Sequence, residues 1–135
     1  MSEISDMLLK HEGIRLHPYH DTVGKLTIGV GRNLDDRGIT TDEAMFMLNN
    51  DITDFTLQLS DRLYWFDAQP ERVKLVLIDM AFNMGIGGLL TFKNTLEHIK
   101  NGNYKLASEE MLQSKWAKQV GNRARELSNI LNTIS

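Results

Sequence analysis

The segment from Val73 to Met84 constrains the fold most strongly, because it is apolar on nearly all sides of a helix. A helix with one apolar stripe packs a single face on its neighbours, whereas a helix that is apolar all round must be covered on every side. The sequence therefore predicts a central buried helix surrounded by other elements. The segment Gly85-Ile86-Gly87-Gly88 follows at once and is expected to end this helix.

The first thirty residues change from a helical period to a strand period. Apolar residues recur at helical spacing over 3–12, and Gly13 stands where a left-handed helix cap is expected. Residues 14–21 and 25–30 are predicted to form the two strands of a hairpin with a glycine in its turn. Pro18 restricts the first strand to an edge or a bulged position. A small antiparallel sheet is therefore expected after the first helix.

The rest of the chain is predicted to be helical. Thr40 and Glu43 have the spacing of a capping box at the start of a long amphipathic helix. Pro70 suits the first turn of the next helix. Three further helices are predicted over 91–100, 104–113 and 122–134.

This order of elements indicates an α+β fold that is mainly helical, with a small antiparallel sheet lobe and a larger helical lobe. We predict a single domain over 1–135. Residues 13–55 would form the sheet lobe and the connecting helix, and 1–12 plus 56–135 the helical lobe, with the long helix joining the two.

Composition excludes several classes of protein. The 135 residues include no cysteine, which rules out disulfide scaffolds, cysteine-ligated zinc and thiol nucleophiles. No run of about 20 apolar residues predicts a membrane span, and the first residues lack the apolar core of a secretory signal. The formal charge is −3, and no nucleic-acid-binding motif accompanies the modest excess of basic residues after Phe92.

Glu12 is a candidate general acid. It is predicted in the last turn of the first helix, where the helix dipole disfavours a negative charge and basic residues are preferred. A carboxyl group that tends to keep its proton is what proton donation near neutral pH requires. A tolerated surface glutamate is the alternative interpretation of this position.

Asp21 and Thr27 are the second part of the candidate site. A turn aspartate commonly bonds nearby backbone amides, and Thr27 is explained by strand propensity alone. Asp21 would nevertheless stay solvated and ionised, and the Thr27 hydroxyl could face it across the hairpin and hold a water molecule. A neutral acid beside an ionised carboxylate is the division of labour in glycoside hydrolysis.

Three stretches resemble the amino-terminal signature of the T-even bacteriophage lysozymes: Glu12–Leu16, Tyr19–Gly24 and Leu26–Gly31. The spacing Glu-x8-Asp-x5-Thr of Glu12, Asp21 and Thr27 matches the catalytic trio of that family. The similarity resumes over 82–85, 92–95 and 114–123, so it covers most of the chain in order.

The resemblance implies a muramidase. Such enzymes cleave the β-1,4 bond between N-acetylmuramic acid and N-acetylglucosamine in peptidoglycan, with no metal or cofactor. By this analogy Glu12 donates a proton to the leaving oxygen, and Asp21 with Thr27 activates the attacking water. The family is described as inverting, so the two carboxyl groups should leave room for that water.

The resemblance also assigns a glycan cleft. Arg123 aligns with an arginine that faces the catalytic glutamate, where it would favour the ionised form of Glu12. Phe82 falls at a cleft position, but core packing on a buried helix explains it at least as well, and Trp116 is better explained as a core residue. The predicted substrate-binding residues are Asn33, Phe82, Asn83, Thr95 and Arg123.

The chain departs from the family's best-known member at several positions. Arg32 stands where that member has a histidine, so a histidine-based salt bridge between the lobes is absent. Glu110 replaces a cleft asparagine, and the segment after Asn33 is much shorter. None of these departures touches the trio.

Three other readings of the sequence remain. A metal site drawn from His11, Glu12, His17, His20 and Asp21 lacks a compact ligand motif. A lytic transglycosylase needs the acid but no water-activating aspartate. A glycan-binding module that has lost its chemistry would not need the trio.

The expected partner is the glycan strand of peptidoglycan. We expect a monomer that binds no nucleic acid and does not insert stably in a membrane. The missing signal and the resemblance predict an endolysin made in the host cytoplasm that reaches the periplasm through a holin-type pore; a virion-associated enzyme is the alternative.

Overall fold

A computed structural model describes residues 2–134 of the chain. Its elements in chain order are helix α1 (Glu3–Glu12), strands β1 (Arg15–His20), β2 (Leu26–Gly29) and β3 (Arg32–Asn33), helix α2 (Thr41–Arg62), a short 3-10 helix (Phe66–Ala68), and helices α3 (Glu71–Leu90), α4 (Lys93–Lys100), α5 (Tyr104–Leu112), α6 (Lys115–Val120) and α7 (Asn122–Asn132). This content confirms the predicted α+β class with a small antiparallel sheet.

The chain divides into two compact units, with the boundary after Met47 inside α2. The first, which we call the sheet unit, contains α1 and the three strands. The second, which we call the helical unit, contains the rest of α2 and the following helices. The predicted division into 13–55 and 1–12 plus 56–135 stays a prediction.

The sheet unit is ordered β1-β2-β3, with β1 and β3 at its edges. Tyr19 pairs with Thr27, and the β1–β2 register shifts between Arg15 and Tyr19. Pro18 lies within this irregularity, as predicted, because proline has no N–H to donate to the ladder. The two strands are shorter than the predicted 14–21 and 25–30.

Strand β3 was not predicted. Its residues Arg32 and Asn33 pair with Ile28 and Thr27 of β2. A strand of two residues has no periodicity that a sequence pattern can reveal, and its formation depends on the partner strand.

The capping box at the start of α2 is present as predicted. The Glu43 N–H donates to Thr40 Oγ1 (3.1 Å), and the Thr40 N–H donates to Glu43 Oε1 (2.8 Å). Two of the backbone donors that a helix start leaves without partners are thereby satisfied.

Helix α3 is the central element of the helical unit. It is long and apolar enough to cross a membrane by length and composition alone, but it supplies much of this unit's core. Its fully buried side chains are Val73, Val76, Leu77, Met80, Ala81 and Leu89. Leu59, Met111 and Leu131 of the neighbouring helices α2, α5 and α7 complete a continuous apolar cluster with them.

The predicted end of the central helix needs a correction. Regular helix geometry breaks at Gly85, which has φ 79° and ψ 160°, but helical structure resumes and reaches Leu90. Pro70 precedes the first turn of this helix instead of lying within it. The helix continues beyond the glycines because Leu89 and Leu90 are apolar and both pack on the core.

Helix α6 is a further element that was not predicted. Ser114 begins it by accepting a hydrogen bond from the Ala117 N–H at 3.0 Å. Helices α4, α5 and α7 are each one or two residues shorter than predicted, mostly at their ends.

Candidate active site

Glu12 is the last residue of α1, as predicted. Gly13 ends the helix with φ 72°, and its N–H donates to Leu9 O at 2.9 Å. The Glu12 side chain is exposed and rests against Gly31: a Cβ at Gly31 would lie 2.8 Å from Glu12 Oε2 and 3.0 Å from Cδ. The carboxyl group therefore lies at the negative end of the helix dipole and touches a backbone position that has no side chain.

Asp21 is held by the turn of the hairpin. Its Oδ1 accepts hydrogen bonds from the N–H groups of Val23 (3.0 Å) and Lys25 (2.8 Å). The Asp21 N–H in turn donates to Lys25 O at 2.9 Å. Both of these bonds go to Oδ1, and within residues 2–134 Oδ2 has no hydrogen-bond partner, so it can accept a hydrogen bond from a water molecule.

Thr27 is 3% exposed and lies on β2. Its Oγ1 donates to Lys25 O at 2.8 Å. Because the hydroxyl proton is used in this bond, the oxygen has only lone pairs to offer to another partner. The peptide groups of Lys25 thus connect Asp21 and Thr27, which the structure brings together on one hairpin.

Asn33 pairs with Thr27 in the backbone register. Its side-chain amide is bonded within its own loop: Nδ2 donates to Asp36 Oδ2, and Oδ1 accepts from the Asp36 N–H, each at 3.0 Å. These bonds orient the amide for the turn, so its assigned role in substrate binding stays a prediction.

In the helical unit, Phe82 and Arg123 line one groove of about 730 Å³. Phe82 is 41% exposed and stacks at a tilt on Phe55, with ring centroids 5.7 Å apart, so the core-packing interpretation of Phe82 is wrong. The Arg123 Nε donates to Asp79 Oδ1 at 2.8 Å. This ion pair was not predicted, since nothing in the sequence links two residues 44 positions apart.

Thr95 and Trp116 line a second groove of the helical unit, of about 800 Å³. Trp116 is 8% exposed and belongs to the core cluster, as expected, while its Nε1 donates to Asn83 Oδ1 at 2.7 Å. Glu110 also lines this groove, where it accepts a bond of 3.3 Å from Asn94 Nδ2. Thr95 is only 2% exposed, so little of its side chain faces the groove.

The five predicted substrate-binding residues therefore fall at three places in the structure. Asn33 lies in the sheet unit, Phe82 and Arg123 share one groove, and Thr95 lines the other, next to the Trp116 partner of Asn83. Over residues 2–134, no three side chains of the metal-ligating types lie close enough together to hold an ion.

Comparison with known proteins identifies the chain. The family model described as phage lysozyme matches residues 9–130. The chain belongs to the phage lysozyme family. It is therefore a lysozyme-like glycoside hydrolase, a muramidase, which confirms the family and the enzyme class that the sequence predicts.

Several curated relatives are similar over nearly the whole chain. Probable T4-type lysozymes 1 and 2 of Dictyostelium discoideum are 28% and 24% identical, each over 98% of this chain and 95% of their own length. The pre-baseplate central spike protein Gp5 of enterobacteria phage T4 is 26% identical over 96% of this chain, which corresponds to 28% of Gp5. The alignment with probable T4-type lysozyme 1 spans 162 positions, whereas this chain has 135 residues. That relative therefore has segments that this chain lacks.

Proposed function

We propose that this lysozyme hydrolyses the β-1,4 bond between N-acetylmuramic acid and N-acetylglucosamine in bacterial peptidoglycan with inversion at the anomeric carbon. Glu12 is the general acid, and Asp21 with Thr27 holds and activates the water. The observation that carries this proposal is the pair of acceptor oxygens on one hairpin, Asp21 Oδ2 and Thr27 Oγ1, whose residues are linked through Lys25.

The water needs two acceptors and a free lone pair. Thr27 Oγ1 has already given its proton to Lys25 O, so a water beside it donates one hydrogen to Oγ1. Its other hydrogen is donated to Asp21, and its lone pair then faces the anomeric carbon. As the new C–O bond forms, Asp21 takes the proton as general base.

The leaving group needs a proton at the same time. Glu12 lies at the carboxyl end of α1, with its carboxyl group against the Gly31 backbone. It gives this proton to the glycosidic oxygen as the C–O bond breaks. The step leaves Glu12 ionised and Asp21 protonated. Asp21 then releases its proton to solvent and Glu12 takes one up, so the complete cycle consumes only water.

The substrate contacts are proposed from side-chain character. Phe82 offers an exposed ring face, which suits the apolar face of a sugar. Arg123 donates to Asp79 through Nε and Nη2, and its Nη1 is proposed to donate to a polar group of the substrate. Asn33, Asn83 and Thr95 complete the proposed set, with polar groups that suit the amides and hydroxyls of an amino-sugar polymer.

The test is turnover of purified peptidoglycan with chemical identification of the new ends. We expect a reducing N-acetylmuramic acid end whose first-formed anomer is α, because inversion converts the β linkage. A 1,6-anhydro end would indicate a lytic transglycosylase instead, and a first-formed β anomer would exclude inversion.

A binding module without chemistry is tested by Glu12→Gln. We expect this variant to bind insoluble peptidoglycan as the wild type does and to release no soluble fragments. Equal release by both proteins, or none by either, contradicts the proposed role of Glu12.

We also propose that the protein acts as a phage endolysin, made in the host cytoplasm and released to the periplasm through a holin-type pore. The membership of a phage lysozyme family supports this role. Detection of the protein in the soluble lysate but not in purified virions is expected. Its presence in virions would favour the alternative, in which it digests the wall on entry.

A further inference from the structure

Arg32 makes a two-pronged ion pair with Glu43. Its Nη1 donates to Glu43 Oε1 at 2.8 Å, and its Nη2 donates to Oε2 at 2.7 Å. Nη1 also donates to Gly38 O at 3.1 Å. Parallel bonds between a guanidinium and a carboxylate fix both distance and angle, unlike the single contact of a mobile lysine. Strand β3 is thereby fastened to the first turn of α2.

The carboxylate in this pair is itself fixed. Glu43 Oε1 also accepts the Thr40 N–H as part of the capping box. The bonds from Arg32 and then from Thr40 lower the pKa of Glu43 from 4.5 to about 2. The partner of Arg32 is therefore ionised and held in place by the helix that carries it.

Arg32 directly follows the glycine on which Glu12 rests. The Glu12 carboxyl group lies against Gly31, so a displacement of the Gly31 backbone moves the surface that this group contacts. The backbone is also held just after this point, where the Leu34 N–H donates to Leu26 O at 2.7 Å, and strand β3 itself has only two residues. Those residues pair with Ile28 and Thr27, the second of which is a proposed ligand of the water.

We propose that Arg32 and Glu43 are positioning residues for this lysozyme's reaction: their ion pair fixes the Gly31–Asn33 backbone and thereby the place of the Glu12 carboxyl group. This inference rests on the proposed role of Glu12. Neither residue belongs to the proposed set of substrate contacts. An ordinary surface ion pair would contribute to stability alone, and most such pairs change the free energy of unfolding only a little.

The experiment compares Arg32→Ala, Glu43→Gln and Arg32→Lys with the wild type on soluble peptidoglycan fragments. We expect kcat to fall about tenfold to a hundredfold in the first two variants, since small misplacements of reacting groups have effects of that size. KM should change much less than kcat, because of the proposed substrate contacts only Asn33 lies on the displaced backbone, while Phe82 and Arg123 lie in the helical unit. Arg32→Lys keeps the positive charge but cannot make two parallel hydrogen bonds to Glu43, so its kcat should lie between those of Arg32→Ala and the wild type.

Thr40→Ala is the matched control. It removes the hydroxyl that caps α2 but leaves the Arg32–Glu43 pair in place. We expect it to lower the melting temperature as Glu43→Gln does, while kcat stays within about twofold. If kcat follows the melting temperature in all the variants alike, the pair is only a stabilising one and the proposal is wrong.

A second readout does not need turnover. The carboxyl carbon of Glu12 is followed by carbon-13 NMR at a fixed pH, with Glu12→Gln used to assign its signal. Arg32→Ala should move its chemical shift, and Thr40→Ala should not. An unchanged signal in Arg32→Ala overturns the positioning role. If the wild type releases no fragments, the proposed function fails, and this NMR comparison still decides whether Arg32 positions Glu12.

Discussion

The backbone of Lys25 makes a hydrogen bond to each of the two residues. Its carbonyl oxygen accepts from the Thr27 hydroxyl, and its N–H donates to Asp21 Oδ1. Lys25, which has no proposed chemical role, therefore holds in place the two residues that we propose to bind the attacking water. Sequence spacing predicted that Asp21 and Thr27 would meet across the hairpin. It could not predict that the connection runs through the main chain between them, because a backbone bond leaves no trace in residue types.

Replacing Asp21 separates its charge from its hydrogen bonds. In Asp21→Asn, Oδ1 can still accept the N–H groups of Val23 and Lys25, so we expect stability close to that of the wild type. The general base is lost, and kcat should fall by about 10²–10⁴-fold. Asp21→Ala loses both bonds as well and should lower the free energy of unfolding by about 1–3 kcal/mol.

These values are measured by fragment release and by denaturant unfolding. Asp51→Asn, an exposed change on α2 that also removes one negative charge, is the control and should retain both activity and stability. Full activity in Asp21→Asn would exclude Asp21 as the base.

Gly31 is a second position where one residue type is required. It has φ 67°, and an added Cβ would lie 2.8 Å from Glu12 Oε2. In Gly31→Ala the flexible carboxylate gives way, so we expect activity to fall at least tenfold, together with about 1–2 kcal/mol of backbone strain. Fragment release and thermal unfolding measure the two effects.

Gly102→Ala is the control for Gly31→Ala, since Gly102 has φ 76° but no atom within 4 Å of an added Cβ. It should lose similar stability and keep its activity. Equal activity in the two variants would mean that the contact with Glu12 is unimportant. The sequence gives no warning of this contact, because Glu12 and Gly31 meet only in the folded chain.

At the scale of elements, the link between β3 and α2 should depend on pH. The folded protein lowers the pKa of Glu43 from 4.5 to about 2, so it favours the ionised carboxylate. The stability from this group is therefore complete above about pH 4.5 and is lost as the pH falls towards 2. Arg32 stays ionised over this whole range, since its pKa is raised.

The expected result is that Glu43→Gln melts below the wild type at pH 7 and that the two melting temperatures converge near pH 2. Glu109→Gln, an exposed change on α5, should not reproduce this convergence. A difference that stays constant from pH 7 to pH 2 would show that Glu43 does not stabilise the fold through its charge.

The break in α3 permits a paired test. Gly85 has φ 79° and ψ 160°, a conformation almost restricted to glycine, so Gly85→Ala should cost about 1–3 kcal/mol. Gly87 lies in the helical segment beyond the break, with open space around it, so Gly87→Ala should stabilise by about 0.5–1 kcal/mol. Denaturant midpoints of both variants measure the difference, and changes of equal sign would contradict the described backbone.

At the scale of elements, the sequence predicted the features that depend on interactions between residues close together in the chain. Helix α1, the Pro18 irregularity and the Thr40–Glu43 capping box depend on residues at most a few positions apart, and the structure contains all three. Strand β3 and helix α6 were missed, because a two-residue strand and a six-residue helix depend on their surroundings. The Arg123–Asp79 ion pair could not be predicted either, because it joins residues 44 positions apart that meet only in the folded chain.

At the scale of the whole molecule, hydrophobic burial is unequally divided. Over residues 2–134, every buried hydrophobic side chain lies at or after Leu59, whereas Thr27 is the buried side chain of the sheet unit. A unit without an apolar core of its own, and of fewer than about 50 residues, lacks the burial that offsets chain entropy. The helical unit contains the core that can fold independently.

We therefore expect a fragment of residues 48–135 to stay helical and to unfold cooperatively, and a fragment of residues 1–47 to show no cooperative transition. In the full chain, amide hydrogens of α3, α5 and α7 should exchange most slowly, since they open only in global unfolding. Circular dichroism of the fragments and hydrogen exchange of the full chain measure this. Amides of β1 and β2 that exchange as slowly as those of α3 would mean that the sheet unit opens only together with the core. The apolar pattern of Val73–Met84 would then stabilise both units, and not the helical unit alone.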